Sequence, residues 1–274
     1  MIIPAEYNMI PELKKLWKEG FKAEDRYIDF FFSKRFKPEN TFVYVEKGSP
    51  ISIASVLNAK LYYNGAFLPV GYIYGVTTSA MHRRKGFSAA ILEHINKIYP
   101  ATFLVPATAE LFNFYEKQGF LPAFKLNEFN LYACDLKTPN KILKGKAVCP
   151  EEYNDIRNSY FLNDGYICWD TEAITYALAE NELLGGSALK FPIDEKKGEN
   201  GILLYRKEYN NLLIMETTLP ASMLQDAAHY LMKQENVSVC SVRTAPGESS
   251  VARIFGLLNT GISIKNGYCN LVLD

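Results

Sequence analysis

A short basic turn in the first half of the chain has the composition of an anion-binding site. The turn consists of Arg83, Arg84, Lys85, Gly86, Phe87 and Ser88. It follows an apolar stretch and opens a predicted helix, whose first N–H groups lack partners and whose dipole favours negative charge. Gly86 lets the backbone approach a ligand closely, and Ser88 can cap the helix or donate to a phosphate oxygen. The turn therefore predicts a phosphate site, with a solvated basic turn and a helix cap as the plain alternative.

Two motifs within residues 71–120 resemble those of the GNAT superfamily, the acyl-CoA-dependent N-acyltransferases. That family carries (Q/R)-x-x-G-x-(G/A) between its fourth strand and the next helix. This chain has Arg83-x-x-Gly86-x-Ser88, with Ser in place of the last Gly or Ala. Downstream, the stretch from Tyr115 to Phe120 reads YEKQGF and matches the family's Y-x-x-x-G-F. Because the motifs occur in the family's order and on the expected elements, the chain is identified as a member of this superfamily.

The resemblance implies that the basic turn binds the diphosphate of coenzyme A, carried by acetyl-CoA or another acyl-CoA. Backbone N–H groups of Gly86, Phe87 and Ser88 would hold the diphosphate, and the three cations would neutralise it. In this family the preceding strand separates from its neighbour and pairs with the pantetheine arm, which implies the same for Val76 and Thr78. A plain buried strand is the alternative there, and both can hold. A P-loop is excluded because no G-x-x-x-x-G-K-(S/T) occurs.

Tyr115 is the candidate catalytic residue. Its spacing places it beside Leu111 and Phe112 on the apolar face of a helix predicted at 110–118, where core packing is the plain interpretation. The family match implies instead a general acid that gives a proton to the departing CoA thiolate. A tyrosine suits this role because its hydroxyl stays protonated at neutral pH. Gly119 would end the helix and Phe120 would pack beyond it, which would fix the direction of the ring.

The group that takes the proton from an attacking amine is left open by the sequence. Some family members carry a Glu base on the strand before the turn. This chain has Tyr72 and Tyr74 there, so base catalysis through water or a remote group is expected. His82 is either a base or a surface histidine. Glu24 and Asp25 begin a helix that flanks the acceptor site in the family, and capping is their plain role.

The elements predicted around these residues recur in the same order in the two halves of the chain. In the first half, strands are predicted at 1–4, 41–46, 51–63, 66–78, 102–106 and 123–136, and helices at 11–20, 23–36, 89–99 and 110–118. In the second half, strands are predicted at 146–149, 188–193, 201–208, 211–218, 237–243 and up to 274. Helices are predicted there at 151–161, 171–183, 221–233 and 249–258.

This order predicts an α/β (α+β) fold made by internal duplication. Two tandem GNAT-like domains are expected, each a mixed, mostly antiparallel sheet flanked by helices. Residues 1–138 would be the N-acetyltransferase domain with the CoA-binding turn, and residues 141–274 a degenerate copy, joined by a linker at 138–140. The degenerate copy lacks the turn because the residues after Thr218 read LPAS, with no cation and no glycine. Asp274 ends an apolar strand predicted at 270–273, so its carboxylates could lie near the acceptor.

The overall composition narrows the classes of protein. Lys plus Arg and Asp plus Glu each number 30, so the formal net charge is zero, which argues against a nucleic-acid partner. Hydrophobic residues make up 48% of the 274, enough for extended cores. The five cysteines have no C-x-x-C or metal spacing, so reduced thiols and no metal site are predicted. With no visible signal peptide and no apolar run of about 18 residues, no membrane partner and a cytoplasmic location are expected.

Together these features predict an N-acyltransferase that moves an acyl group from acyl-CoA, most simply acetyl-CoA, directly to an amine of a small molecule or peptide. The alternative is a non-catalytic module that binds acyl-CoA as a sensor. Tyr115 favours the enzyme, and the missing carboxylate on the strand before the turn favours the sensor. The sequence predicts neither the acceptor nor the oligomeric state.

Overall fold

The fold is built on one long, mixed sheet. The computed structural model describes residues 1–137, 143–247 and 252–271. The 13 strands of these residues belong to a single sheet, with helices packed on it. The predicted α/β class, with a mostly antiparallel open sheet flanked by helices, is confirmed. The linker predicted at 138–140 lies outside the described residues.

The first half begins with two amphipathic helices and continues as a sheet. The first helix has Pro11 in its first turn and buries Leu13, Leu16 and Trp17 along one face before Lys22 ends it in the left-handed conformation. The elements are β1 (Ile2–Pro4), α1 (Ile10–Phe21), α2 (Asp25–Lys34), β2 (Thr41–Glu46), β3 (Ser49–Tyr63), β4 (Ala66–Thr78), α3 (Phe87–Ile98), β5 (Thr102–Leu104), α4 (Ala109–Glu116) and β6 (Leu121–Tyr132).

The second half follows a similar order of elements. They are β7 (Lys146–Ala147), α5 (Pro150–Phe161), β8 (Tyr166–Cys168), α6 (Thr171–Leu183), β9 (Ser187–Asp194), β10 (Glu199–Glu208), β11 (Asn211–Thr217), α7 (Ala221–Glu235), β12 (Val239–Thr244) and β13 (Arg253–Asn259). The prediction of a helix at 249–258 is wrong, because the structure has the strand β13 in the described part of this range. The strand predicted at 270–273 is also not seen over its described residues, 270–271.

The error at β13 has a physical origin. Residues 255–258 are all buried, because neighbouring strands cover both edges of β13 and side chains cover both its faces. A short apolar run of this kind lacks the alternation that marks a half-exposed strand, so periodicity alone cannot separate it from a buried helix.

Strand pairing joins the two halves across the predicted boundary. The order in the sheet is β1-β2-β3-β4-β5-β13-β6-β12-β11-β10-β9-β7, and β8 pairs with β3. β13, from the second half, therefore lies between β5 and β6, with Leu257 opposite both Leu104 and Pro122. β6, from the first half, pairs antiparallel with β12. Backbone hydrogen bonds, in addition to side-chain packing, thus connect the halves.

Side-chain packing also crosses between the halves. The ring of Trp169, from the second half, lies 5.6 Å from Tyr72 and 5.9 Å from Phe103. Phe103 in turn stacks on Tyr72 at 4.9 Å between ring centroids. These rings belong to one buried cluster that contains residues of both halves. The first half folded alone would therefore expose an apolar face that the second half covers in the full chain. No described helix is long and apolar enough to cross a membrane.

Candidate active site

The strand before the basic turn is interrupted by a bulge at the centre of the sheet. Gly75 and Val76 together lie opposite one residue of β3, Ala54, and Gly75 has a φ of +67°. A Cβ built on Gly75 would lie 2.6 Å from Cζ2 of Trp17, so only glycine fits at this position. The bulge turns the end of β4 away from regular pairing.

Beyond this point β4 separates from its parallel neighbour β5. The two strands pair at Gly71 with Thr102 and at Tyr72 with Phe103, and no further register positions follow. A cavity of about 440 Å³ lies in the resulting opening. The structure thus shows the strand separation that the family resemblance implied.

Four parts of the chain line this cavity. Trp17 and Tyr27 line it from α1 and α2, Tyr74 from β4 and Tyr115 from α4. The fourth wall comes from the second half, as Arg243, Arg253 and Phe255 of β12 and β13. Among the described residues, the lining includes no Asp or Glu side chain. The only charges that the described chain presents to the cavity are therefore positive.

The basic turn leads directly from the end of β4 into α3. Gly86, with a φ of +85°, precedes the helix, and Arg84 also has a positive φ of 63°. A Cβ built on Gly86 meets no atom within 4 Å. The space in front of the helix is therefore open. Arg83, Arg84, Lys85 and Gly86 are exposed, whereas Phe87 and Ser88 are half-buried.

The start of α3 differs from the prediction in one respect. The helix begins at Phe87, two residues earlier than expected, so Ser88 is its second residue. Among the described residues no side chain caps this end of the helix, so capping, one of the two roles predicted for Ser88, is not seen. The first N–H groups of α3 thus have no described capping side chain, which keeps the turn suited to an external anion.

Val76 and Thr78 differ in their surroundings. Val76 is half-buried and lines the cavity. Thr78 is buried, and its hydroxyl shares a hydrogen bond of 2.8 Å with that of Ser52. Its carbonyl accepts a hydrogen bond of 3.1 Å from Nε of Arg83. The arginine is thereby tied to the end of β4.

Tyr115 lies on α4, with its ring packed against neighbouring rings, and lines the cavity. Only 7% of the residue is exposed, and burial raises the pKa of its hydroxyl to about 12. The rings of Phe114 and Phe120 lie 5.1 Å and 6.0 Å away. Gly119, with a φ of +87°, turns the chain so that the N–H of Phe120 donates to the Tyr115 carbonyl. The hydroxyl therefore keeps its proton and a fixed direction.

The other candidate acid–base groups lie elsewhere or stay neutral. His82 is outside the cavity, with Nδ1 2.6 Å from Oγ of Ser79 and Nε2 3.4 Å from Glu46. Inside the cavity, the hydroxyls of Tyr74 and Tyr27 share a hydrogen bond of 2.8 Å. Burial raises the pKa of Tyr74 well above its ordinary value, and the nearby Tyr27 and Glu180 raise it further.

Glu24 and Asp25 form surface ion pairs instead of caps. Glu24 precedes α2, but its side chain makes no capping hydrogen bond and contacts Nε of Arg26 at 2.7 Å. Asp25 contacts Nζ of Lys18, also at 2.7 Å. Neither carboxylate lines the cavity. The expected capping role is therefore not seen for Glu24, and Asp274 lies outside the described residues.

The corresponding opening in the second half is filled. β11 and β12 pair in parallel from Asn211 to Ile214 and then separate, as β4 and β5 do. Beyond that point Glu216 is fully buried, with its carboxylate 2.9 Å from Nε of Arg157. The same carboxylate accepts hydrogen bonds from Tyr153 and Tyr268, and Asn270 donates to the Met215 carbonyl. Side chains thus occupy the space that is open in the first half.

A family comparison agrees with the geometry of the first half. The model of the acetyltransferase (GNAT) domain matches residues 2–123. This region is therefore similar to the catalytic domain of GNAT acetyltransferases. The matched residues include β4, the basic turn, α3, β5 and Tyr115. This similarity supports a general acyl-transfer function with acyl-CoA as co-substrate.

Solved structures share the GNAT-type fold over nearly the whole chain. A probable N-acyltransferase of Enterococcus faecalis has a TM-score of 0.74 and 14% identity, over 94% of this chain and 71% of its own. A GCN5-related N-acetyltransferase of Anabaena variabilis gives 0.72 and 16%, over 94% and 72%. One from Kribbella flavida gives 0.67 and 14%, over 94% and 70%. At these identities the likeness shows the fold. No curated protein matches the sequence significantly.

Three residues of the GNAT-type cavity were not found from the sequence. Arg243 ends a strand that was predicted, but nothing in its spacing links it to the first half. Arg253 and Phe255 fall in the stretch predicted as a helix. The one available signal is the alternation of Arg253 and Phe255, two residues apart on one face of a strand.

Proposed function

We propose that the protein is an N-acyltransferase that moves an acyl group, most simply acetyl, from acyl-CoA directly to the amine of a small molecule or peptide. The observation that carries the proposal is the position of Tyr115. Tyr115, whose hydroxyl keeps its proton, lines the cavity that opens where β4 and β5 separate, beside the end of β4 that leads to the basic turn. The similarity of residues 2–123 to the GNAT domain supports acyl-CoA as the donor.

The residues present suit the phosphate end of coenzyme A. The open space in front of α3, its uncapped N–H groups and the exposed cations provide donors and positive charge for a diphosphate. Val76 and Thr78 provide the strand end that would pair with the pantetheine arm. The proposed CoA-binding set is Val76, Thr78, Arg83, Arg84, Lys85, Gly86, Phe87 and Ser88.

Acyl transfer requires that the amine loses a proton and that the negative charge on the departing sulfur is stabilised. A neutral amine attacks the thioester carbonyl, a C–N bond forms, the C–S bond breaks, and the CoA sulfur leaves with the electron pair. We propose that the Tyr115 hydroxyl stabilises this thiolate as its general acid. Because no described carboxylate lines the cavity, we propose that the proton of the amine goes to water. An alkyl amine has a pKa of about 10, and only its neutral form attacks. The rate is therefore expected to fall at low pH, where most of the amine is protonated.

We further propose that residues 141–274 form a degenerate GNAT-like domain with a structural and acceptor-lining role. The support is the filled opening beside Glu216 and the position of Arg253 and Phe255 in the wall of the cavity. Coenzyme A would then bind once per chain.

Release of free CoA thiol from acetyl-CoA, measured with a panel of amines, tests the activity. Thiol release that depends on an amine, with an N-acetylated product seen by mass spectrometry, is the expected result. Tight binding of acetyl-CoA with no amine-dependent release across the panel would instead support the sensor module. A chain that binds no CoA would contradict both proposals.

A further inference from the structure

Two arginines from the second half form a positive wall on the cavity. Arg243 on β12 and Arg253 on β13 both line it, and their guanidinium groups lie 6.0 Å and 5.4 Å from the ring centroid of Phe255. The Phe255 ring, which both guanidinium groups approach, is itself part of the lining. Guanidinium groups on an aromatic ring are held in fixed planes, which suits them to recognise a planar or tetrahedral anion.

Glu128 on β6 orients this pair. Its carboxylate lies 2.6 Å from Nε of Arg253 and 3.8 Å from Nε of Arg243. Arg243 is also directly opposite Glu128 in the β6–β12 pairing. The contact at Nε of Arg253 leaves its two terminal nitrogens without a hydrogen-bond partner in the described parts of the chain, and 46% of its side chain is exposed. Those nitrogens can bind a ligand.

The remaining walls carry no compensating negative charge within the described residues. They are made mainly of aromatic and aliphatic side chains, among them Trp17, Phe21, Tyr74 and Phe112. Apolar walls exclude water and strengthen the effect of a nearby charge. Two arginines against the one Glu128 carboxylate leave a net positive charge on the second-half wall among the described side chains, so a second ammonium group on the acceptor would be disfavoured.

We infer that the acceptor is an amine that also carries a carboxylate or a phosphate, and that Arg253, beside Arg243, binds this anion. The inference rests on the proposed N-acyl transfer, whose substrate class it specifies. With the anion held on the second-half wall, the amine would extend into the cavity that Tyr115 also lines. Acceptors with several positive charges would be poor substrates.

The test uses the full chain with acetyl-CoA and matched acceptors. β-Alanine and O-phosphoethanolamine are the anionic amines, propylamine is the neutral-tailed control, and 1,3-diaminopropane carries a second positive charge. At least one anionic amine is expected to exceed propylamine in kcat/KM by about tenfold or more, as charge-assisted hydrogen bonds allow. The better of the two anionic amines shows whether the site prefers a carboxylate or a phosphate. Equal or better use of propylamine or the diamine would overturn the inference.

Variants separate this site from general effects on the fold. Arg253→Gln should raise KM for the preferred anionic amine by about tenfold and leave propylamine within about twofold. Glu128→Gln keeps both arginines and should retain the preference. Arg206→Gln is the matched control, since Arg206 is also a strand arginine paired with a carboxylate, Glu208, but does not line the cavity. An unchanged preference in Arg253→Gln would refute the assigned role.

Calorimetry separates failure of the inference from failure of the proposed function. β-Alanine and O-phosphoethanolamine are titrated into the complex with CoA. Binding of either one that is lost in Arg253→Gln supports the anion site even if no amine is acylated, and then only the proposed function fails. If neither binds, the anion site is wrong, whatever activity is found with other amines.

Discussion

Replacing Tyr115 by phenylalanine isolates the hydroxyl proposed to act on the leaving thiolate. The ring packs against Phe114 and Phe120, and these contacts remain in the variant. The hydroxyl makes no hydrogen bond to any described residue. Its removal therefore leaves no buried partner unsatisfied, and the free energy of unfolding should change by less than about 1 kcal/mol.

The size of the kinetic effect follows from the pKa of the hydroxyl. Burial raises the pKa of Tyr115 to about 12, whereas a thiol has a pKa of about 8.5. Complete proton transfer to the thiolate would be uphill in water, so the main contribution is a hydrogen bond to a charged acceptor. Such bonds contribute about 1.5–3 kcal/mol, which corresponds to about 10- to 100-fold in kcat. The affinity for CoA should change little, because the basic turn, and not this hydroxyl, is proposed to bind the CoA phosphates.

Single-turnover rates of acyl transfer, together with CoA titration on the same variant, measure both effects. Tyr132→Phe, at the exposed end of β6, is the control. The pH dependence gives a further check: because Tyr115 keeps its proton until the pH approaches 12, it should cause no loss of activity at pH 8 to 10. An unchanged single-turnover rate in Tyr115→Phe would refute catalysis by this hydroxyl and leave core packing as its role.

Three other perturbations have defined outcomes. Changing Arg83 and Arg84 together to alanine should weaken CoA binding by about 1–3 kcal/mol at low salt and less at high salt, as titrations at two ionic strengths would show. Glu216→Gln should lower the free energy of unfolding in urea by about 3–5 kcal/mol, because it leaves the buried Arg157 charge uncompensated; a loss below about 1 kcal/mol would contradict this. A thiol reagent at neutral pH should label two exposed cysteines quickly and three buried ones only after unfolding. The exposed thiols are Cys134 and Cys149, and the buried ones are Cys168, Cys240 and Cys269.

Local sequence features predicted the centre of the site well. The strand, the turn and the helix after it depend on nearby residues, such as Gly86 and the apolar spacing of α3, and the structure has all three elements. The turn residues and Tyr115 occupy positions consistent with their predicted roles, and those roles remain predictions. The cap by Ser88 failed because glycine rather than serine precedes the helix.

Long-range pairing explains what the sequence did not predict. The position of β13 between β5 and β6 depends on strands distant in the chain, and its buried run lacks the alternation of an exposed strand. Arg253 therefore had no predicted place in the cavity. The closure around Glu216 likewise requires side chains from α5 and from the segment after β13, which no local pattern brings together.

A calorimetric titration of CoA into the full chain tests the central claim most directly. The open turn before α3 and the filled opening beside Glu216 predict one CoA per chain, with binding weakened by about 1–3 kcal/mol when Arg83 and Arg84 are both alanine. Two equivalent CoA sites per chain, or full affinity in the double variant, would contradict the assignment of the acyl-CoA site to the first half.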